Sequence, residues 1–362
     1  MNEEVYKKLA KVLDTLPNGF PATETGVEIK LLKKIFRPED ADLFCDLRLD
    51  FETAQQISER TGRLLEGLEE HLLQMSGRGQ ISRIDFGGVQ VFKMIPWAFG
   101  IYEFQLPHMD KEMAALCEEF MRQHYIPQFF KTKLPLMQVV PVEKSISGKQ
   151  QALPYEQVSR IIESSLSFAV FDCICKKQKH LLGHGCDKPL EVCTAFAPVP
   201  GLFQDDKHFR AISKEEAFAV LDKAEAAGLV HTTWNIQSGH YFICNCCGCC
   251  CASLEAINKS GIKASDAVNS SYFSRIDADA CTACGVCKEE RCQVNAIEAG
   301  DEAYTIVAEK CIGCGLCVTT CPVQAISLVR KEDEDIAKPP VDEMDWYIRR
   351  AQLRGVDIGR YK

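Results

Sequence analysis

No apolar run in these 362 residues approaches the ~20 needed to cross a bilayer as a helix, so no membrane span is expected. The opening M-N-E-E-V-Y-K-K-L-A-K sets charge on both sides of its apolar positions and leaves no hydrophobic region of a secretory signal, which points to the cytoplasm. Basic excess is missing as well: 42 Lys and Arg stand against 51 Asp and Glu, a net charge of −9, and give no global footprint for nucleic acid. The chain has no G-x-G-x-x-G following a strand, no phosphate-binding G-x-x-x-x-G-K-[ST] loop and no Ser, His and Asp spacing suited to a hydrolase. Cysteine is scarce at first, with only Cys45 and Cys117 before residue 170.

What the chain has is thiol beyond that point. Eighteen of its 20 cysteines fall between Cys173 and Cys321. In a reducing compartment that density argues for metal or redox work and against a disulfide framework, which belongs to small secreted domains. The rest of the composition is ordinary, and 46 % apolar residues suffice for the cores of two or three domains.

Two segments repeat at an offset of thirty residues: C-T-A-C-G-V-C-K-E-E-R-C from Cys281 to Cys292, and C-I-G-C-G-L-C-V-T-T-C-P from Cys311 to Pro322. The spacing C-x-x-C-x-x-C brings three thiolates together from one compact loop, and the fourth Cys of each run serves the other cluster. Two [4Fe-4S] clusters with crossed ligation are predicted. Cys281, Cys284, Cys287 and Cys321 would hold one, and Cys311, Cys314, Cys317 and Cys292 the other. Gly285, Gly313 and Gly315 suit a loop that approaches an inorganic core closely with positive φ. Two zinc ions on paired C-x-x-C units are the competing use of such residues, disfavoured because complete four-Cys runs recur in tandem.

Over roughly residues 273–330 the sequence resembles the bacterial-type two-cluster ferredoxin domain. The resemblance implies a ferredoxin-like βαββαβ pseudo-twofold fold, low-potential one-electron transfer and clusters near enough to exchange electrons. S-Y-F-S-R-I, A-I-E-A, E-A-Y-T-I-V and A-I-S-L-V read as short strands. Two features depart from the pattern. Four residues, Lys288 to Arg291, precede the last Cys of the first run where three are usual, and Gln293 stands where proline normally follows.

The other ten thiols lie in the middle of the chain. S-F-A-V-F-D-C-I-C-K-K-Q-K-H-L-L-G-H-G-C-D-K-P-L-E-V-C carries Cys173, Cys175, Cys186 and Cys193, enough for one [4Fe-4S] cluster or one zinc ion. If its start is a strand, Cys173 and Cys175 share a face. Y-F-I-C-N-C-C-G-C-C-C-A adds Cys244, Cys246, Cys247, Cys249, Cys250 and Cys251. In an extended trace Cys244, Cys246 and Cys250 face one way and Cys247, Cys249 and Cys251 the other, unless Gly248 breaks the alternation. Neither triplet completes a four-thiolate site, so one or two further iron–sulfur clusters are expected, with ligands drawn from both segments. His180, His184, His231 and His240 have no spacing that marks them as ligands. Between the segments, S-K-E-E-A-F-A-V-L-D-K-A-E-A-A-G reads as a helix capped by Ser213 and stopped at Gly228, with L-V-H-T-T-W-N and G-H-Y-F-I-C as a hairpin.

Upstream, Leu9, Val12, Leu13 and Leu16 share a helical face, Pro38 opens a second helix, and Thr53 with Gln56 forms a capping box for a third that ends at Gly62. R-L-L-E-G-L-E-E-H-L-L-Q-M and a hairpin across F-G-G follow, so residues 25–100 resemble a winged-helix domain. Glu66, Glu69 and Glu70 against Arg63 on the would-be recognition helix make DNA docking unlikely and favour a protein-docking role. K-T-K-L-P-L-M-Q-V-V-P-V-E-K-S-I-S-G-K-Q-Q-A-L-P, residues 131–154, reads as an extended linker. The expected architecture is multidomain α+β: a winged-helix-like domain at 1–145, a Cys-rich central domain at 146–272, the two-cluster domain at 273–330, and a tail at 331–362. The function expected is single-electron relay between redox partners, a flavoprotein or another iron–sulfur protein, in an anaerobic or low-potential pathway. A redox-sensing transcription regulator and an oxidoreductase subunit with a substrate-binding central cluster are the alternatives.

Overall fold

Leu9 and Leu13, on one face of helix α1 (Asn2–Thr15), and Leu16 just after it are fully buried, as their spacing requires. The computed structural model describes residues 2–147, 152–204 and 209–362. They form two compact units, one of Met1–Thr132, Leu181–Gly183 and Tyr347–Lys362, the other of Lys133–His180 and His184–Trp346.

In the first unit α1 is followed by α2 (Val27–Ile35), α3 (Pro38–Phe44) and α4 (Ala54–Thr61). Thr53 caps α4 by accepting from the Gln56 amide, Gln56 returns the bond, and Gly62 ends the helix at φ 73. The next helix does not begin at Arg63 as expected. Gly67, at φ 77, breaks the chain, and α5 runs over Leu68–Gly77. Arg63 turns back to pair with Asp42 and Asp46. Strands β1 (Ser82–Phe86) and β2 (Val89–Lys93) then form an antiparallel hairpin across Gly87 and Gly88. Cys117, on α6 (Lys111–Glu119), and Cys45 are core residues. Burial pushes the Cys45 thiol up to about 11, which keeps it protonated and inert.

The second unit is built on a seven-stranded sheet. Its members are β3 (Met137–Val139), β4 (Ser167–Asp172), β5 (Glu191–Ala197), β6 (Arg210–Ile212), β7 (Val230–Trp234), β8 (Phe242–Cys246) and β9 (Val268–Asn269), in spatial order β6-β4-β5-β8-β7-β3-β9. All neighbours are antiparallel except β3 and β9. Strand β3 corrects the expected linker. Its prolines, Pro135 and Pro141, flank the strand rather than interrupt it, so Leu136 to Val140 are buried and β3 pairs on both sides. Residues 148–151 of that stretch lie outside the described ones. Helix α9 (Lys214–Ala226), capped by Ser213, lays Ala217 and Leu221 against Phe168, Phe196 and Ile243. Helices α7 (Val158–Glu163), α8 (Ile174–Leu181) and α10 (Ala252–Lys259) complete the frame; α11 (Glu343–Arg354) begins in this unit and from Tyr347 on belongs to the first.

Beyond the sheet, β10 (Tyr272–Ile276) pairs antiparallel with β13 (Ile326–Arg330), and β11 (Ile297–Glu298) with β12 (Thr305–Ile306). The four strands fall where the sequence placed them. Among the described residues no helix is long and apolar enough to cross a membrane.

Candidate metal centres

The C-terminal thiols sit on a backbone that repeats itself. Ala283 and Gly313, each two residues after the first Cys of its run, have φ of 50 and 61, and Gly285 and Gly315, two further on, have 86 and 77. Three residues after the last Cys of each run, Asn295 and Gln324 are left-handed too, at φ 50 and 54. Ala296 donates its amide to Cys292 Sγ at 3.2 Å, and Ala325 donates to Cys321 Sγ at 3.3 Å. Such bonds stabilise the thiolate and orient it. Cys281, Cys284, Cys287 and Cys321 line one cavity, walled by Ile276, Tyr304, Ala325 and Ile326. In the second quartet Cys317 takes a hydrogen bond with Ser274 Oγ at 3.3 Å and Cys311 Sγ accepts from the Ser274 amide at 3.4 Å. Burial pushes Cys292 and Cys314 up, and raises Cys317 to about 12 against the Ser274 bond. Four soft thiols around an apolar-walled chamber, with amides aimed at sulfur, fit a [4Fe-4S] cluster.

The four-residue spacer of the first run forms a wide turn over Cys287–Arg291, closed by Cys292 N–H to Cys287 O at 3.0 Å. The extra residue is absorbed there as one π-type turn. It delivers Arg291, buried, to the carbonyls of Glu225 at 2.8 Å and Ala226 at 3.0 Å, at the C-terminal end of α9. Gln293, in the place of proline, accepts from Gly248 N–H at 3.1 Å through Oε1, and Asn258 Nδ2 bridges Gln293 O and Gly248 O. Both departures from the expected pattern are thus attachments to the central region.

The ten central thiols separate into two groups. Cys186, Cys247, Cys249 and Cys250 bring their four Sγ atoms within 4.8 Å of one another. The other six form a continuous, mostly buried chain of free thiols linked by hydrogen bonds: Cys173 with Cys175 and Cys193, Cys193 with Cys244, Cys244 with Cys246, and Cys246 with Cys251. Two local expectations are corrected. Cys173 and Cys175 do not share a strand face, because β4 ends at Asp172 and Cys175 lies in the first turn of α8. Parity sorts the thiols of the cluster only as far as Cys249: Cys244 and Cys246 fall in one group and Cys247 and Cys249 in the other, but beyond the turn at Gly248 Cys250 joins Cys247 and Cys249, and Cys251 joins Cys246. The register that pairs Thr194 with Ile243 extends to Cys193 facing Cys244. These two and Cys246 lie on the face opposite Ile243, which packs toward α9, whereas Cys247 and Cys250 pack with Val220 and Ala224 of α9. His231 Nδ1 is held by Asn245 Oδ1 at 2.5 Å and His240 Nδ1 by Thr233 Oγ1 at 3.2 Å.

Residues 304–327 match the family model described as 4Fe-4S binding domain. "Ferredoxin-1" of Chlorobaculum tepidum is 44% identical over 52 residues, 13% of this chain and 82% of that protein. "Ferredoxin-2" of the same organism is 43% identical over 54 residues, 13% of this chain and 86% of that protein. Through this segment the chain belongs to the ferredoxin family. No solved structure matches the chain.

The charge balance around the central thiols depends on a residue that the sequence does not single out. Lys176, one position after Cys175 in α8, is fully buried and donates to Asn245 O at 3.3 Å. Burial works against its charge, yet the sulfurs of Cys173, Cys193, Cys247 and Cys246 around it outweigh that and hold its pKa above the ordinary value. Hydrogen bonds from Cys173 and Cys244 draw Cys193 down to about 5, and those from Cys244 and Cys251 lower Cys246. In the quartet, bonds from Cys249 and Cys250 draw Cys247 down to about 2. In the ferredoxin segment Cys284 is exposed, and in the central quartet Cys249 is.

Proposed function

We propose that this protein relays single electrons through its ferredoxin segment between a redox partner and a further iron–sulfur centre in the central region. The observation that carries this is the attachment of an otherwise standard two-cluster segment to the cysteine-rich sheet through Arg291 and Gln293. A [4Fe-4S] cluster bound at each quartet supplies one-electron chemistry. Exposed Cys284 marks the side where electrons enter, and Asp277, Asp279, Glu289 and Glu290, exposed near it alongside Arg275 and Lys288, suit a partner with a basic docking face, such as a flavoprotein or another iron–sulfur protein. Cys292 and Gln293 mark the opposite end of the relay. The further cluster takes its ligands from Cys173, Cys175, Cys193, Cys244, Cys246 and Cys251, with Lys176 offsetting the negative charge of the thiolates.

The test is iron and sulfide quantification on the full chain prepared without oxygen. About twelve iron atoms per chain are expected, two ferredoxin clusters and one central cluster, and about eight would remove the central cluster. Lys176→Met should make the central potential more negative. A buried charge within several ångströms contributes about 2–3 kcal/mol at an effective dielectric near 20, on the order of 100 mV for one electron. An unchanged potential in a redox titration followed by electron paramagnetic resonance would show that Lys176 does not offset that cluster.

The N-terminal helices and hairpin fit a winged helix serving as a docking module. Glu66, Glu69 and Glu70 are exposed on the surface that would meet a duplex, and Arg63 is already engaged by Asp42 and Asp46, which leaves that surface acidic.

A further inference from the structure

We propose that Cys186, Cys247, Cys249 and Cys250 bind a single tetrahedral zinc ion that clasps the loop after β8 onto the segment leading into β5. This rests on the same central region as the proposed function but assigns these four thiols away from its iron.

Size is the deciding quantity. Zinc–thiolate bonds of ~2.3 Å set the edges of a tetrahedron of four sulfurs at about 3.8 Å. Cys186 Sγ stands 3.9 Å from Cys247 Sγ and 3.8 Å from Cys250 Sγ, and Cys249 Sγ stands 3.8 Å from Cys250 Sγ. In a cubane each thiolate binds a different iron, so the four sulfurs must stand farther apart than around one shared ion. Among the described residues no other set of three or more His, Cys, Asp or Glu draws its donor atoms within 4.8 Å, and the two ferredoxin quartets do not contract so far. The donor set is all thiolate and closed, with no position left for water, as in structural zinc sites. Cys249 is exposed, which gives the ion an entry path.

The place of the site explains its use. Cys186 lies in the stretch between α8 and β5, some sixty residues before its three partners. Closing a loop of that length by a metal restricts the unfolded chain as well as fixing the folded one. The turn so fixed contains Gly248, whose amide donates to Gln293 Oε1 and whose carbonyl accepts from Asn258 Nδ2. The ion would hold rigid the surface on which the ferredoxin segment is mounted.

The experiment is metal analysis of the oxygen-free full chain, beside a chain produced with cobalt in place of zinc. About one zinc per chain is expected, and the cobalt form should show the visible ligand-field bands of tetrahedral all-thiolate cobalt(II), which needs no variant. Cys249→Ser, at an exposed position, should lose the zinc and the cobalt bands while iron, sulfide and the resonance of the reduced ferredoxin clusters stay unchanged. Absence of zinc, or loss of iron in Cys249→Ser, would overturn the assignment. The proposed electron relay fails separately, by an iron count of about eight with the zinc in place.

Discussion

Cys292→Ala is expected to abolish the cluster held by Cys311, Cys314 and Cys317 and to leave the one held by Cys281, Cys284 and Cys287. Iron should fall by about four atoms per chain. The magnetic interaction between two reduced clusters should collapse to the signal of one isolated cluster. The reason is geometric: Cys292 belongs by sequence to the first run, but Cys321, and not Cys292, completes the cavity of Cys281, Cys284 and Cys287. Burial of Cys292 and the Cys311 thiolate both raise its pKa, as expected of a thiol facing the second quartet. Retention of the second cluster together with loss of the first would refute crossed ligation. Cys321→Ala should give the mirror result.

Gly248→Ala is expected to destabilise the second unit by about 3 kcal/mol or more, in the range of overpacking where backbone must move. A Cβ at Gly248 would stand 1.9 Å from Gln293 O and 2.7 Å from Asn258 Nδ2, and the first of these is backbone. Relief requires the Gln293 chain to withdraw and gives up the bonds that tie it to the turn. Thermal unfolding under anaerobic conditions, with limited proteolysis to follow release of residues 273–330, measures the effect. Gly261→Ala serves as the control. It adds a Cβ in open space, where only its φ of 65 resists, and should cost about 1 kcal/mol. Equal losses in the two variants would show that the close approach does not matter.

The C-terminal segment was legible because its chemistry is local. Three cysteines at fixed short spacing converge from one loop whatever surrounds them, so strand positions and left-handed turns follow from a few consecutive residues. The N-terminal helices were legible for a similar reason, since capping by Thr53 and the stop at Gly62 act within one turn. Local rules failed where the chain reverses without a spacing signature. Prolines that suggested a linker turned out to border a buried strand, because Pro135 and Pro141 lie just outside β3. Lys176 carried no motif, and its burial between two sets of thiols appears only in the folded chain.

From its sequence alone this protein is an iron–sulfur protein of the ferredoxin type, because thiolate spacing fixes cluster chemistry without help from the rest of the fold. Which of the ten central thiols meet was decided by tertiary structure alone. Strand register sets Cys193 against Cys244 across β5 and β8, and a single turn at Gly248 sends adjacent cysteines to opposite groups. The tertiary structure also gave the two irregularities of the ferredoxin segment a purpose. An extra residue places Arg291 on the end of α9, and Gln293 supplies a side-chain acceptor, which proline lacks, to the Gly248 amide.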